Sequence, residues 1–414
     1  MKVLQLTSKL RNGAGIAAVR LHERLRHDGV ESVFYFGVGS TGIEGTRQAF
    51  RREGFVGDSF NRLLAGLRAR TEAGEGYVNN PRWWVKARSL PDSFDVVHIH
   101  SLFGWVDLES VFRLIPCHTP IVWSLHDFEP ITGGCIYPGE CAGWETSCAK
   151  CPQLRPGLSW RTRRNHRIKS ALFGKRRINF VCNSTWTLEQ ANKSSLISLA
   201  ASTSMINYGL NLEAYRPVDK QVAKRALGLD KSLPVIGFAS TDLSEKRKGF
   251  AVLQGALRRL GVSKVMLLSF GGGQADGSLP NHVHLGPVYS VDVQRLFYSA
   301  IDVFVTPSLV ETFGNTAMEA MACGTPVVGY ATSGLKDVVV SGVTGMLQEP
   351  VGCETAIWQA LEFLVSNPEA RTKMGVAARR RAEECFDVRL MAARYKKLYS
   401  GLAENSRPPG VSTP

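Results

Sequence analysis

The first half of the chain alternates short apolar segments with amphipathic ones. Residues 2–6 predict a strand, residues 12–15 a glycine turn, and residues 16–26 a helix with one apolar face. Further strands are predicted at residues 32–35, 96–99, 121–124 and 179–182. Strands that alternate with helices favour a parallel sheet covered on both faces.

The second half repeats this pattern. Strands are predicted at residues 235–239, 264–269, 283–285, 302–306 and 326–329, with helices at 250–260, 291–299 and 316–323. We therefore predict two doubly wound domains, residues 1–217 and 218–385, with a cleft between the carboxyl ends of their sheets. A C-terminal helix is expected at residues 386–405 and a disordered tail at 406–414.

Length and composition agree with two globular domains. The chain has 414 residues, of which 44% are hydrophobic, which excludes global disorder. We find neither a secretory leader nor an apolar run of about 18 residues. The expected location is cytoplasmic, with any membrane contact peripheral, at the inner face of the plasma membrane.

Positive charge is concentrated in the first half. The net charge is +14, and residues 1–217 hold 28 Lys and Arg against 18 Asp and Glu. From Arg155 to Arg177 there are nine cations and no acidic residue. This basic run is either a solvated helix or a docking surface for an anionic membrane.

The most informative stretch is residues 307–326, which carries two glutamates. Glu311 lies in the loop after a predicted strand, and Glu319 lies one turn inside the helix that begins at Gly314-Asn315-Thr316. The free N–H groups of a helix start, with the positive end of its dipole, form an anion site. The alternative is an ordinary loop acid followed by a surface acid on a helix.

This stretch resembles the retaining nucleotide-sugar glycosyltransferases of family 4, whose signature is a pair of glutamates separated by seven residues. Glu311 and Glu319 have that spacing. The resemblance implies an α/β, GT-B fold, in which two Rossmann-like doubly wound domains face each other across a cleft. It also implies sugar transfer with retention and without a catalytic metal or other required cofactor.

The resemblance assigns roles to individual residues. Catalysis falls to Glu311, His126 and Lys248; donor binding to Gly13, Gly15, Arg247, Lys248, Glu311, Phe313, Gly314, Asn315, Thr316 and Glu319; acceptor binding to His100 and Asp127. A simple tight turn is the alternative for the two N-terminal glycines. A buried structural histidine is the alternative for His98, His100 and His126.

The phosphate-binding cations depart from the family pattern. Lys248-Gly249 matches the family's Lys-Gly pair, but the usual arginine at the strand end is absent, since Ser240 and Thr241 stand there. Lys246 or Arg247 would take its place. Two cations would offset the charge that develops on the leaving diphosphate.

Four cysteines lie close together in the sequence: Cys135, Cys141, Cys148 and Cys151. The Cys-x2-Cys pair with two upstream cysteines is typical of a structural zinc site, although the first spacing is wider than usual. A disulfide or redox pair and free thiols remain open. The loop at residues 135–151 and its flanks resemble a bacterial exopolysaccharide subgroup, which includes colanic-acid-type transferases.

We therefore expect an enzyme that transfers a sugar from a nucleoside diphosphate sugar to a glycan or lipid-linked saccharide in polysaccharide biosynthesis. Its partners would be the donor, that acceptor and an anionic membrane, with no nucleic acid. Two alternatives are a GT-B nucleotide-sugar epimerase, which needs no acceptor, and a zinc-containing nucleic-acid-binding protein, which the basic run beside the cysteines suggests.

Overall fold

The computed structural model describes residues 1–39, 42–49, 87, 89–91, 93–102, 104–229, 232–274, 277 and 279–406. The chain forms two compact units: unit 1 comprises Met1–Ile206 and Ala392–Pro414, and unit 2 comprises Asn207–Met391. The tail expected at 406–414 lies, apart from Ser406, outside the described residues.

Unit 1 is built on a parallel sheet whose described strands have the order β3-β2-β1-β4-β5-β6-β7. The strands are β1 Lys2–Lys9, β2 Glu31–Val38, β3 Thr46–Gln48, β4 Val96–Ser101, β5 Ile121–Leu125, β6 Ile178–Cys182 and β7 Ser202–Met205. The helices are α1 Gly13–His27, α2 Leu108–Leu114, α3 Trp160–Phe173 and α4 Thr185–Ala191. The order reverses between β1 and β4, as in a Rossmann-like sheet.

Unit 2 repeats the plan with the order β10-β9-β8-β11-β12-β13, again with every pair parallel. The strands are β8 Val235–Asp242, β9 Met266–Gly272, β10 His282–His284, β11 Val303–Thr306, β12 Val327–Tyr330 and β13 Gly345–Gln348. The helices are α5 Lys220–Ala226, α6 Phe250–Leu260, α7 Val291–Ala300, α8 Asn315–Ala322, α9 Leu335–Val338, α10 Glu354–Ser366, α11 Pro368–Cys385 and α12 Val388–Glu404, the last of which continues into unit 1. The expected class of two doubly wound α/β domains is confirmed.

Apolar strands explain where the cores lie. In unit 1, Leu4, Leu6, Val97 and Ile99 are buried in one cluster, on alternate positions of two neighbouring strands. Polar side chains occupy the positions between them, so one face of these strands is apolar and the other carries hydrogen-bonding groups. The polar face carries His98 and His100, which belong to the candidate site of unit 1.

The units divide after Ile206, whereas the sequence placed the boundary after Pro217. Residues just beyond Ile206 pair with the end of α11: Leu210 donates its N–H to Phe386 O (2.8 Å), and Val388 donates to Leu210 O (3.0 Å). These bonds connect distant parts of the chain, so local composition did not reveal that this segment belongs to unit 2.

The C-terminal helix predicted at residues 386–405 spans Val388–Glu404. Its later part belongs to unit 1, where Tyr395 and Tyr399 are buried and their hydroxyls lie near Ser124 and His98. Among the described helices, none is both long and apolar enough to cross a membrane.

Candidate active site

In unit 2 the loops that follow β8 and β11 lie side by side, because these strands are neighbours in the sheet. Strand order reverses between them, and ligands of open α/β sheets bind at such a switch point. The first loop carries Arg247 and Lys248, and the second carries Glu311. The fold therefore brings together three residues that are distant in sequence.

Glu311 is held by a cluster of side chains. The Lys248 ammonium lies 2.5 Å from its Oε1, Ser308 donates its hydroxyl to the same oxygen (2.9 Å), and the Arg247 guanidinium lies 3.8 Å from Oε2. Burial alone would raise the pKa of this carboxyl, but Lys248 and Arg247 more than offset that effect, so the pKa of Glu311 lies below its ordinary value. Glu311 is thus a buried carboxylate beside two cations.

Of the two candidates for the second cation, the structure brings Arg247 to the cluster. Its Nη1 also donates to Val310 O (2.7 Å), and its Nε donates to Glu245 (3.0 Å). Lys246 is exposed. Of Lys246 and Arg247, it is therefore Arg247 that lies beside Glu311.

The backbone at Gly249, directly after Lys248, requires a glycine. Its φ is +73°, in the left-handed region, and a Cβ there would lie 2.1 Å from Pro307 O. In addition, Leu309 donates its N–H to Arg247 O (2.9 Å). The two loops thus approach each other so closely that only glycine fits.

Helix α8 begins at Asn315, shortly after Glu311, and its N-cap residue Gly314 has a φ of +111°. Asn315 Oδ1 is buried, with no hydrogen-bond partner in the described part of the chain. Thr316 is half-buried. Phe313, which the sequence assigned to donor binding, is buried between the rings of Tyr208 and Phe386.

Glu319 lies on α8 and is also buried. Tyr298 on α7 donates its hydroxyl to Glu319 Oε2 (2.8 Å). That bond fixes the carboxylate from the core side. The ribose contact expected for Glu319 stays a prediction.

In unit 1, Gly13 and Gly15 begin α1. The Gly15 N–H donates to the side chain of Asn12 (2.8 Å), which caps the helix. A Cβ on Gly15 would lie 2.0 Å from Lys9 O, so this glycine allows α1 to start against the end of β1. These contacts belong to a tight turn, and the predicted donor contact remains to be tested.

His100 and His126 lie next to each other at the carboxyl ends of β4 and β5, with His100 Nδ1 3.0 Å from His126 Nε2. Burial lowers the pKa of His126 to about 3 and that of His100 well below its ordinary value, so both rings are neutral. His98 stacks on His100, with ring centroids 3.9 Å apart.

Asp127 follows His126 and is half-buried. Its Oδ1 accepts the N–H of Glu129 (2.8 Å). Burial raises the pKa of Asp127 to about 7 despite that bond. This carboxyl therefore changes charge near neutral pH.

The four clustered cysteines line one small cavity together with Trp144 and Thr162. Gly133 donates its N–H to Cys148 Sγ (3.0 Å). Burial raises the pKa of Cys135 to about 12 and that of Cys148 to about 11. All four are free thiols, and no three His, Cys, Asp or Glu side chains among the described residues are placed to hold a metal ion. Zinc therefore stays a prediction.

The basic run forms helix α3 and its flanks. Arg163, Arg164 and Arg167 are exposed, and the Trp160 side chain is 56% exposed. Lys169 is an exception, because it is buried and pairs with Glu129 (2.8 Å). It cannot contribute to a basic surface, since its charge is used inside unit 1.

Several side chains that organise the two sites were not predicted from the sequence. In unit 2 these are Ser308 and Tyr298, and in unit 1 they are Gln5, Ser32, His22, Ser124, Tyr395 and Tyr399. Gln5 could have been recognised, because it is the one polar residue among residues 3–6 of β1. Ser308 could have been recognised as well, since it precedes Glu311 by three residues in the same loop.

Comparison with known proteins shows similarity to glycosyltransferases. Residues 222–381 match the family "Glycosyl transferases group 1". The chain is 25% identical to the putative colanic acid biosynthesis glycosyl transferase WcaC of Escherichia coli K12 over 82% of this chain and 85% of that protein. It is 30% identical to the D-inositol 3-phosphate glycosyltransferase of Kribbella flavida, over 43% of this chain and 46% of the relative. This match thus spans less than half of that relative's length.

Solved structures resemble the whole chain. Sucrose-phosphate synthase from Thermosynechococcus elongatus superposes with a TM-score of 0.67 at 18% identity, covering 98% of this chain and 100% of that one. Anabaena Alr3699/HepE in complex with UDP and glucose gives 0.63 at 18% identity, covering 97% and 100%. The chain therefore has the GT-B fold, and its residues 222–381 form a glycosyltransferase group 1 domain.

Proposed function

We propose that the protein is a retaining glycosyltransferase that moves a sugar from a nucleoside diphosphate sugar to a hydroxyl of a glycan or lipid-linked saccharide. The observation that carries this proposal is the buried Glu311 with Lys248 and Arg247 at the switch point of unit 2, inside the segment that matches the family. The similarity to WcaC supports a role in polysaccharide biosynthesis.

The donor diphosphate would bind beside Lys248 and the start of α8. A lysine ammonium and the N–H groups of a helix start offset negative charge, so no metal is needed for that purpose. Asn315 Oδ1, which is buried and unpaired within the described residues, would not bind phosphate oxygens but can accept a hydrogen bond from a hydroxyl of the donor. The complexes of HepE with UDP and with UDP-glucose support a nucleoside diphosphate sugar as the donor class.

Transfer would proceed on one face of the sugar. The bond between the anomeric carbon and the diphosphate oxygen breaks while the acceptor oxygen bonds to the same carbon. The acceptor's proton passes to the departing β-phosphate. Glu311 would orient the sugar, and Lys248 would stabilise the charge that develops on the leaving group.

The acceptor proposal rests on unit 1. Helix α3 presents Arg163, Arg164 and Arg167 to solvent, with the exposed Trp160 at its start. Cations with an exposed indole suit a membrane surface that carries anionic lipids and lipid-linked phosphates. We therefore place the protein at the inner face of the membrane, as a peripheral protein.

A donor screen followed by one variant tests the proposal. Thermal shifts against a panel of nucleotide sugars identify the donor, and release of its nucleoside diphosphate measures turnover with a saccharide acceptor. Glu311→Ala should lower turnover about 100-fold without unfolding the protein. Glu384→Ala, which removes an exposed carboxylate from an ion pair on α11, is the matched control. Wild-type turnover in Glu311→Ala would refute the assignment.

The same assay separates the epimerase alternative. An epimerase converts the donor sugar when no acceptor is present, and a transferase joins the sugar to the acceptor. Analysis of the sugar products with and without acceptor therefore distinguishes the two functions.

A further inference from the structure

A third loop of unit 2 lies beside the loop that carries Glu311. Residues 331–334 connect β12 to α9, and β12 is the neighbour of β11 in the sheet. The carboxyl ends of these two parallel strands therefore deliver their loops to the same edge of the sheet. We call residues 331–334 the supporting loop.

Ser333 has an unusual backbone conformation within the supporting loop. Its φ is +46°, in the left-handed region, and among the described residues other than glycine only Cys148 shares a positive φ. A side chain in this region is strained, because its Cβ lies close to the following carbonyl oxygen. Such strain persists only where the surroundings demand the conformation, and it is frequent at functional sites.

The supporting loop bonds both backbone polar groups of Glu311. Glu311 donates its N–H to Ser333 Oγ (3.1 Å), and Gly334 donates its N–H to Glu311 O (2.9 Å). Ser333 and Glu311 are both buried. The side chains of Lys248 and Ser308 contact the carboxylate of Glu311, whereas the supporting loop holds the backbone of the same residue.

The hydroxyls of the supporting loop donate in one consistent direction. Thr332 Oγ1 lies 3.2 Å from Leu309 O, which only accepts, so Thr332 donates its single hydrogen there. In the 3.0 Å contact between the two hydroxyls, Ser333 must therefore donate to Thr332. The lone pairs of Ser333 Oγ remain for the Glu311 N–H. The bonds thus run from Glu311 through Ser333 and Thr332 to Leu309.

This chain of bonds also reaches the loop that carries the cations. Leu309 accepts from Thr332 at its carbonyl and donates its N–H to Arg247 O (2.9 Å). Residues 309–311 are therefore bonded on one side to the supporting loop and on the other to the residue before Lys248. The supporting loop thus fixes where Glu311 lies relative to its cations.

The Ser333 hydroxyl has a role that glycine could not fill. Glycine would adopt φ +46° without strain, but it would leave the Glu311 N–H without an acceptor. A buried N–H that loses its partner is costly, so the segment would shift until it found another acceptor. The carboxylate of Glu311 would move with its backbone.

We propose that Ser333 is a positioning residue for the transfer reaction: its hydroxyl accepts the Glu311 N–H and so holds the Glu311 carboxylate where the sugar reacts. The proposal rests on the proposed glycosyltransferase function. The alternative is that Ser333 only stabilises unit 2, in which case turnover would follow the stability of each variant.

Two substitutions separate these roles, because they change strain and hydroxyl in opposite ways. Ser333→Gly relieves the strain and removes the hydroxyl, and it should lower kcat about tenfold with little change in melting temperature. Ser333→Thr keeps the hydroxyl on a β-branched residue, which is more strained at positive φ, so it should have a lower melting temperature but nearly wild-type kcat. Turnover is measured as release of nucleoside diphosphate, well below the melting temperatures.

A matched control and a reserve variant complete the kinetic test. Ser341→Ala removes another serine hydroxyl of unit 2 that accepts a backbone N–H, from Leu347 (2.9 Å), and it should leave kcat unchanged. If Ser333→Thr does not fold, Ser333→Ala replaces it. This variant keeps the strain without the hydroxyl, so its kcat should equal that of Ser333→Gly although it is less stable.

Hydrogen–deuterium exchange of the full chain tests the contact without substrate. The Glu311 amide, resolved by mass spectrometry of overlapping peptides, should exchange at least about tenfold faster in Ser333→Gly than in the wild type or in Ser341→Ala. A wild type that turns over no donor would refute the proposed function, whereas the exchange still shows whether Ser333 holds Glu311. Unchanged exchange in Ser333→Gly, or turnover that follows melting temperature across the variants, would overturn the proposal.

Discussion

The candidate sites of the two units use opposite electrostatics. In unit 2, Lys248 and Arg247 surround the buried carboxylate of Glu311, and every member of the cluster is charged except Ser308. In unit 1, His100 and His126 are neutral because burial lowers their pKa values. Charge is thus concentrated in the Glu311 cluster of unit 2 and absent from the paired histidine rings of unit 1.

This difference follows the chemistry of the proposed ligands. A diphosphate carries net charge, so fixed cations stabilise it as it leaves. A sugar ring carries hydroxyls that donate and accept, so direction matters more than charge. The following predictions test this contrast.

The largest expected effect comes from the charge in unit 2. Lys248→Gln removes the ammonium near the leaving diphosphate and should lower turnover about 100-fold or more. His126→Gln in unit 1 removes a single neutral contact, and we expect a loss of about 10-fold. Steady-state release of nucleoside diphosphate measures both, with Lys264→Gln as an exposed control. Equal losses in the two variants would contradict the contrast.

The cations of helix α3 should control membrane binding. Neutralising Arg161, Arg163, Arg164 and Arg167 together should lower binding to anionic vesicles at least tenfold, since each basic residue near such a surface contributes about 1 kcal/mol. The control neutralises exposed cations of unit 2, namely Arg258, Lys264, Lys373 and Arg380. Vesicle sedimentation that is indifferent to the first set would refute membrane docking and leave the transferase assignment intact.

The thiols of unit 1 provide a third test. We expect one zinc ion per chain on the four clustered cysteines, and its removal by a chelator should lower the melting temperature by several degrees. The sulfurs must move closer together to bind it, because no group of three ligands is placed for a metal among the described residues. Atomic emission measures the zinc. A zinc content well below one ion per chain would contradict the zinc site and would favour free thiols or a disulfide.

Gly249 tests how strictly unit 2 positions its cation. Gly249→Ala places a Cβ against Pro307 O and should destabilise the protein by about 2 to 4 kcal/mol, from backbone strain and overpacking together. Gly228→Ala is the matched control, since it has φ +66° and no neighbour within 4 Å, and it should cost only about 1 kcal/mol. Urea unfolding measures both. Equal free energies of unfolding in the two variants would show that the close approach is not required.

The last prediction concerns Asp127. Its pKa is about 7 in the folded protein and near 4 when unfolded, so only the unfolded state loses this proton between pH 4 and 7. This group therefore makes the wild type less stable as pH rises through that range. Asp127→Asn does not lose stability in this way. The melting temperature of the variant minus that of the wild type should therefore increase from pH 5 to pH 8. A constant difference would contradict the raised pKa.

Much of the fold was predictable because strand and helix periodicities are local. Helix α6 was predicted at residues 250–260 and found there, and the expected strands of both sheets are present. Strands β3, β7 and β13 were not predicted from the sequence. The unit boundary was misplaced because it depends on pairing between Leu210 and Phe386, which are far apart in sequence.

The candidate sites were predictable where one loop carries several functional residues. Lys248 and Glu311 were recognised from the motifs around them, and the structure places them in contact. Glu319 was expected to face a ribose, and its bond to Tyr298 could not be foreseen. The hydrogen bonds that link His22, Ser32, Gln5, His100 and His126 could not be predicted, because these residues lie far apart in the sequence. Their order depends on the strand order in the sheet.

The discontinuity of unit 1 has a consequence for synthesis. His98 and Ser124 are buried early in the chain, and they hydrogen-bond to the hydroxyls of Tyr399 and Tyr395 on the last helix. During synthesis these hydrogen bonds cannot form until all of unit 2 has been translated. Unit 2, which is continuous, can complete its own sheet first. The part of unit 1 that is translated before unit 2 therefore finishes folding after it.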